Sequence, residues 1–322
     1  MGASWRNVRR GEPCAICGKP DWCSRSDDGA WALCRRIDAG GRGGVDRSGA
    51  EYWLHPLGAS SPRPPEVPSK PQPSRAEPAD LDRVYRAVLG ALTLATEHGT
   101  QLRGRGLDDQ AIGEGMYATL PPRGRAALAR RVLERFPARL LGTVPGFCLR
   151  EGASGPYLSF AGPAGLLVPV RDVGGRVVAL KVRRDEPGDG GKYVYVSSTS
   201  QGGPSPGAPV HVPPWHGPTR QVRVTEGELK AHVATRLSGT LTISVPGVSA
   251  WRGALPVLQA LTPQRILLAF DADASANPHV ARATEATADA LVHEGYEVAL
   301  ETWDAGAAKG IDDALLAQAP IE

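Results

Sequence analysis

An α/β protein is what this sequence predicts: a parallel sheet flanked by helices, preceded by an α+β region and by a small cysteine-bearing β module. Three observations predict it. Four of the five cysteines fall within residues 14–34, strand-like runs crowd residues 166–196, and from Gln221 onward strand-like and helix-like segments alternate four times. That alternation is the mark of parallel strands joined by helical crossovers. With 322 residues and 41% apolar content, the chain has the length for two or three domains and the material for a sizeable core.

The front module covers residues 1–60. Cys14 and Cys17 form a CxxC knuckle, and Asp28-Gly29 is a turn signal between two short strands. Folding the chain there sets Ser26 opposite Trp31 and Cys23 opposite Cys34, so both thiols meet at the open end of the hairpin beside the knuckle. Four thiolates so placed, Cys14, Cys17, Cys23 and Cys34, close a tetrahedral structural zinc site. A module of this size needs such a staple, because its own core is too small to hold it. Two other arrangements fit the same residues: a Cys23–Cys34 disulfide beside a reactive CxxC, or His55 in place of Cys23. Arg25, Trp31, Arg35 and Arg36 lie on or beside the hairpin, where cationic and flat side chains suit a phosphate backbone and stacked bases. Cys148 reads as a packed core thiol.

Residues 61–80 hold seven prolines and read as an extended, semi-rigid linker. Residues 81–220 form a basic region, first helical and then β. Leu81, Val84, Val88 and Leu92 recur at helical spacing over Leu81–Leu94, with Asp80 as the N-cap. Further helices are expected at Asp108–Met116 and Gly124–Phe136. The period then changes to that of strands in LLVPV, RVVALKV and KYVYVSS, with a turn at Gly174-Gly175. Ser200–Pro218 reads as loop. Residues 221–322 form the alternating region: QVRVT, TLTISV, RILLAF and EVALETW as strands, each followed by a helix-like segment.

A net charge of +3 hides a polarity along the chain. Residues 81–150 carry 11 basic and 6 acidic side chains, whereas residues 221–322 carry 7 and 13. A basic body suits a polyanion, and a local acidic surplus suits bound cations. The opening MGASWRNVRR lacks the apolar core of a signal peptide, and no run of ~18 apolar residues suggests a membrane span. The expected location is the cytoplasm, where clustered cysteines read as metal ligands before they read as disulfides.

Three acidic segments follow predicted strands: Thr225-Glu226-Gly227-Glu228, Phe270-Asp271-Ala272-Asp273 and Lys309-Gly310-Ile311-Asp312-Asp313. A parallel sheet brings such strand ends to one edge. Carboxylates from separate strands hold a hard divalent cation and leave room for phosphate oxygens and water. Ions held this way activate an attacking hydroxyl and screen a leaving pyrophosphate. Taken singly, Asp273 and Asp312 also read as helix N-caps. The order and strand context of all three segments favour the cation site.

TEGE, FDAD and KGIDD, on alternating strands and helices, resemble the TOPRIM domain shared by bacterial and phage primases, type IA and II topoisomerases and some nucleases. Upstream, LRGRGLDDQAIGEGMYATLP is similar to the RGL helix region that precedes the catalytic core of DnaG-type primases. LLVPVRDVGGRVVALKVRR with GKYVYVSS is similar to their basic subdomain. The resemblance spans residues 80–320 and agrees with a zinc ribbon in front. It implies a TOPRIM-like parallel sheet and DNA primase activity: template-directed, metal-dependent nucleotidyl transfer that makes short primers on single-stranded DNA from nucleoside triphosphates. By the same resemblance Glu226, Asp271 and Asp273 are catalytic and hold Mg²⁺ or Mn²⁺, with Asp312 or Asp313 as an outer carboxylate. Lys181, Arg183, Arg184 and Lys192 would contact triphosphate or template phosphates, and Lys230 and Lys309 would reach the phosphates as well.

The cysteine pattern departs from the Cys-His-Cys-Cys set of the cellular enzymes, so no template-sequence preference carries over. No GxxxxGK[ST] loop is present, so a helicase partner would be a separate polypeptide. Two other functions use the same parts: a non-catalytic zinc/TOPRIM DNA-binding recombination mediator, and a TOPRIM nuclease.

Overall fold

A computed structural model describes residues 5–20, 22–37, 40–45, 51–58, 73–186, 191–272 and 278–322. Contacts divide the chain into two units, residues 1–71 with 186–192, and residues 72–185 with 193–322. The predicted linker, 61–80, lies largely outside the described residues.

The first unit is built on short antiparallel strands: β1 (Trp5–Asn7), β2 (Ser24–Ser26), β3 (Trp31–Cys34), β4 (Arg42–Val45) and β5 (Glu51–Pro56), in the order β1-β2-β3-β5-β4. The β2–β3 register pairs Ser24 with Leu33 and Arg25 with Ala32, as read from the sequence. The turn between them takes four residues rather than two. The Asp28 carboxylate sits inside it and accepts from Ser26 Oγ–H (2.5 Å) and the Ala30 N–H (3.0 Å), while Gly29 adopts φ +71°. Trp31 is buried with Leu33 and Leu54, which corrects its expected place on an open stacking face. The exposed indole is that of Trp22, 59% accessible, with the Arg36 guanidinium 5.2 Å from its ring centre.

The second unit opens with α1 (Pro78–Gly90), which begins and ends earlier than the apolar rhythm alone suggests. Pro78 presets the helical φ at the first turn, extended Glu77 precedes it, and Asp80 is a first-turn residue favoured by the helix dipole, not the cap. Its buried stripe of Leu81, Val84, Tyr85 and Val88 packs into the largest core cluster. Next come α2 (Thr96–Gly104), α3 (Asp109–Gly115), β6 (Ala118–Leu120), α4 (Arg125–Leu133) and α5 (Ala138–Leu141). Asp108 caps α3 by accepting from the Ala111 N–H at 2.7 Å. A hairpin, β7 (Phe147–Gly152) and β8 (Gly155–Phe160), carries the buried Cys148. Strands β9 (Gly165–Arg171), β10 (Val177–Arg184) and β11 (Tyr193–Tyr195) complete an antiparallel sheet in the order β11-β10-β9-β6.

The alternating region forms a four-stranded parallel sheet flanked by helices. Its elements are β12 (Gln221–Glu226), α6 (Glu228–Ser238), β13 (Leu241–Val245), α7 (Ala254–Leu261), β14 (Arg265–Leu268), α8 (Pro278–His293), β15 (Glu297–Leu300) and α9 (Ile311–Leu316), with strand order β13-β12-β14-β15. Central β12 buries every residue from Val222 to Thr225, as a strand covered on both faces must. Arg223 survives there through a bidentate pair with Glu301 (2.5 and 2.9 Å) and the hydroxyls of Ser238 and Thr242. Among the described residues no helix is long and apolar enough to cross a membrane.

Two buried histidines sit between the sheets. His211 Nδ1 accepts from the Arg171 N–H (3.0 Å), which holds that ring neutral, and His232 Nδ1 shares a hydrogen bond with the Tyr117 hydroxyl (2.7 Å). Burial, reinforced by the Arg171 charge, holds His232 down at about 4, against an ordinary 6.5. The unfolded chain therefore binds a proton that the folded chain refuses between those two values. Stability from this residue is complete above pH 6.5 and is lost as pH falls toward 4, by up to about 3 kcal/mol. Denaturant titrations at pH 7 and pH 4.5 should show this loss, and His232→Gln should remove much of the difference between the two. Equal acid sensitivity in both proteins would refute it.

Candidate active site

β12 delivers Glu226 at its last position, and the chain then turns directly into α6. Gly227 makes the turn at φ +96°, ψ 125°, a conformation that a side chain resists. Glu228 and Lys230 consequently fall in the first turn of α6. Beyond β14, the Ala269 N–H donates to the Val224 carbonyl (2.9 Å) and the Ala269 carbonyl accepts from Thr225 Oγ (2.7 Å), which carries Asp271 to the same edge. The Ala272 N–H donates to the Lys309 carbonyl (2.9 Å), tying the third acidic segment to the second. Helix α9 starts after Gly310 and places Asp312 in its first turn.

One sheet edge thus carries Glu226, Asp271 and Asp312, although among the described residues only the four cysteines bring three or more metal-ligating atoms within 4.8 Å of one another. The Lys230 ammonium pairs with Asp271 Oδ1, and the Arg105 guanidinium pairs with Asp312 Oδ2. The Val248 N–H donates to Glu226 Oε2 at 3.3 Å. Burial pushes the Glu226 carboxyl above its ordinary range; the Lys230 charge works against this and Asp271 adds to it. Burial likewise raises Asp312, with Arg105 opposing and Asp313 adding. Oδ1 of Asp312 is buried with no hydrogen-bond partner. Asp313 and Lys309 are exposed. Asp273 lies outside the described residues.

The basic sheet meets this edge through named contacts. Lys181 on β10 is buried, pairs with Glu228 at 2.6 Å, and has its Nζ 4.5 Å from the Tyr195 ring centre. Arg183 donates to Gln101 Oε1 (2.6 Å), and half-buried Arg184 has its Nε without a hydrogen-bond partner. Lys192 is exposed and belongs to the first unit. Arg105 and Glu228 were assigned no role from the sequence. RGRGL closes α2 with Arg103 and Gly104, and Arg105, Gly106 and Leu107 make the break before α3, with Gly106 at φ +92°. Arg105 lies 207 residues from its partner, a separation that no spacing rule in one sequence reveals. A cavity of about 280 Å³ opens beside Asp271, walled by Phe270, Ala281, Leu300, Thr302 and Trp303 among others.

In the first unit the ligand atoms of Cys14, Cys17, Cys23 and Cys34 lie within 4.8 Å of one another. Gly18 at φ +67° closes the knuckle, its N–H donating to the Cys14 carbonyl at 2.8 Å. Hydrogen bonding from the Cys23 thiol, joined by the Arg36 and Ile37 N–H groups (3.4 and 3.3 Å), holds the buried Cys34 thiol below its ordinary range. Four sulfur donors in a buried cluster suit zinc. His55 stands outside the set, its Nε2 bonded to the Ile37 carbonyl at 2.8 Å.

Residues 215–321 match a family described as a domain of unknown function, DUF3854. No curated protein matches the chain in sequence. Among solved structures, the Aquifex aeolicus primase (zinc-binding and RNA polymerase domains) is similar with TM-score 0.53 and 14% identity, over 77% of this chain and 63% of that one. This chain thus spans under two thirds of that structure. A DnaG primase catalytic domain bound to single-stranded DNA is similar at TM-score 0.52 and 17% identity, over 75% of this chain and 78% of that one. A DNA primase domain from Pseudomonas aeruginosa gives 0.52 and 16%, over 74% and 75%. The fold is that of DnaG-type primase catalytic cores, with a four-cysteine zinc-binding module at the front.

Proposed function

We propose that this protein is a DNA primase, a nucleotidyltransferase that makes short primers on single-stranded DNA. The reading rests above all on the convergence of Glu226, Asp271 and Asp312 at one edge of the parallel sheet, joined to the basic sheet by Lys181–Glu228 and to the α2–α3 break by Arg105–Asp312. A solvated acidic face would not bury Asp312 with an oxygen left unpaired.

The oxygen donors fit Mg²⁺ or Mn²⁺. Glu226 and Asp271, with Asp273, would hold such an ion, and Asp312 or Asp313 would act from outside. When bound, the ion favours attack of a 3′-hydroxyl on an α-phosphate and screens the departing pyrophosphate. The chain's own side chains bind and orient. Arg183 and Arg184 offer guanidinium groups to template or triphosphate oxygens beside Lys181, and Lys309 adds a cation to that path. The aromatic wall of the cavity beside Asp271, with Trp303, suits a nucleobase. Residues 1–60, tethered by the proline-rich stretch, would steady the template, and a replicative helicase would be a separate cytoplasmic partner.

The test is extension of labelled nucleotides on randomised single-stranded templates with Mg²⁺ or Mn²⁺. Template-dependent oligonucleotides are expected from the purified protein. Their absence on every template and with either ion would sink the proposal.

A further inference from the structure

Among the described residues, the acidic edge contains its own cation. Lys230 projects from the first turn of α6 with only 16% of its side chain accessible, and its ammonium pairs with Asp271. A Cβ built on Gly310 would lie 2.8 Å from Lys230 Cε, 3.0 Å from its Nζ and 2.8 Å from Asp312 Oδ1. The ammonium and that unpaired carboxylate oxygen therefore flank the same stretch of backbone. Glu226 and Asp312 both feel the Lys230 charge. The Asp312 side chain is 3% accessible, with Arg105 on its other oxygen. Two resident cations, Lys230 and Arg105, thus each already take up a carboxylate oxygen at this edge. A divalent ion and the Lys230 ammonium on the same carboxylate would repel each other as like charges.

We infer that the Lys230 ammonium occupies a cation position in the carboxylate cluster and competes with a divalent metal ion for Asp271. This rests on the proposed reading of that edge as a metal site, but concerns binding rather than catalysis. Metal entry then requires the ammonium to leave Asp271, so Lys230 sets how tightly the nucleotide-free protein holds the ion. Gly310 is part of the device: without a side chain, it leaves room for the lysine stem and for Asp312 Oδ1.

The experiment is Mn²⁺ binding to the full zinc-loaded chain without nucleotide, followed by the electron paramagnetic resonance of free Mn²⁺. Lys230→Met should bind Mn²⁺ about tenfold more tightly than wild type, the change expected from removing one unit charge from a half-buried site. Lys230→Arg, which keeps the charge, should bind no more tightly than wild type. Adding Asp271→Ala to Lys230→Met should abolish the gain. Thermal melts guard against a folding artefact, since Mn²⁺ should raise the melting temperature of Lys230→Met more than that of wild type. Unchanged or weaker Mn²⁺ binding by Lys230→Met, with no extra thermal gain, would overturn the inference even if primers are made. Tighter binding in a protein that makes no primers would instead overturn the primase reading and leave this inference standing.

Discussion

Asp271→Ala is expected to lower primer synthesis by about a thousandfold or more while leaving single-stranded DNA binding within about twofold of wild type. Asp271 sits where β14 runs out, half-buried, and its placement depends on backbone bonds through Ala269 and Ala272, not on its own side chain. Its loss should therefore leave the sheet intact. What goes is a carboxylate shared between the metal site and Lys230. Losing about 4 kcal/mol of transition-state stabilisation gives the stated factor, and that is an ordinary yield for a preorganised charge in a catalytic site. DNA contacts come from phosphate-binding cations elsewhere, so anisotropy with a labelled strand should change little. The pairing of outcomes separates the candidate functions. A non-catalytic DNA-binding mediator predicts no primer synthesis in either protein, and a nuclease predicts strand shortening that the mutation abolishes. Primer synthesis within tenfold of wild type would remove Asp271 from the chemistry.

The alternating last third of the chain was legible because its information is local. Val222–Thr225, strand-like despite Arg223, and the apolar Ile266–Leu268 are flanked by helical periods, and a parallel sheet follows from that alternation. Once the sheet forms, Glu226 and Asp271 must fall at its carboxyl edge. The hairpin register was legible for the same reason, since one turn sets every pair from Ser24–Leu33 inward. Trp31 was misplaced because period-two alternation tells which residues share a face, not which face is covered. The partners of the site were illegible. Lys181 is buried against Glu228 only because β10 passes α6, and Arg105 reaches Asp312 only because the chain breaks at Gly106. Lys230 was expected at the phosphates from the family resemblance; that its ammonium pairs with Asp271 depends on α6 starting immediately after Gly227. These contacts join residues between 41 and 207 positions apart, and charge type alone assigns them no partner.

Stripping zinc should unfold the first unit and leave the second unit folded. Among the described residues, the buried apolar side chains clustered in the first unit apart from the cysteines are Trp31, Leu33 and Leu54, with Trp5, Ala30 and Tyr52 partly covered around them and Val8, Ile16 and Ile37 partly covered against the cysteines. So few groups cannot offset the entropy of ordering a chain this long. A structural zinc contributes an apparent 10–16 kcal/mol, roughly, which exceeds any stability such a core supplies. The second unit has its own large clusters, among them the one built on Leu81, Tyr85, Phe147 and Phe160. Chelation, or Cys23→Ser, should thus abolish amide protection across residues 24–34 while protection along β12 and β14 persists. Metal analysis should return one zinc per chain for wild type and for Cys148→Ser, whose thiol packs in the β7–β8 hairpin outside the cluster. A Cys23–Cys34 disulfide makes the opposite forecast: no zinc, indifference to chelator, and collapse only under reductant. Because four sulfur ligand atoms, and not one cysteine pair, lie within 4.8 Å of one another, the chelator and not the reductant should be the agent that melts these strands.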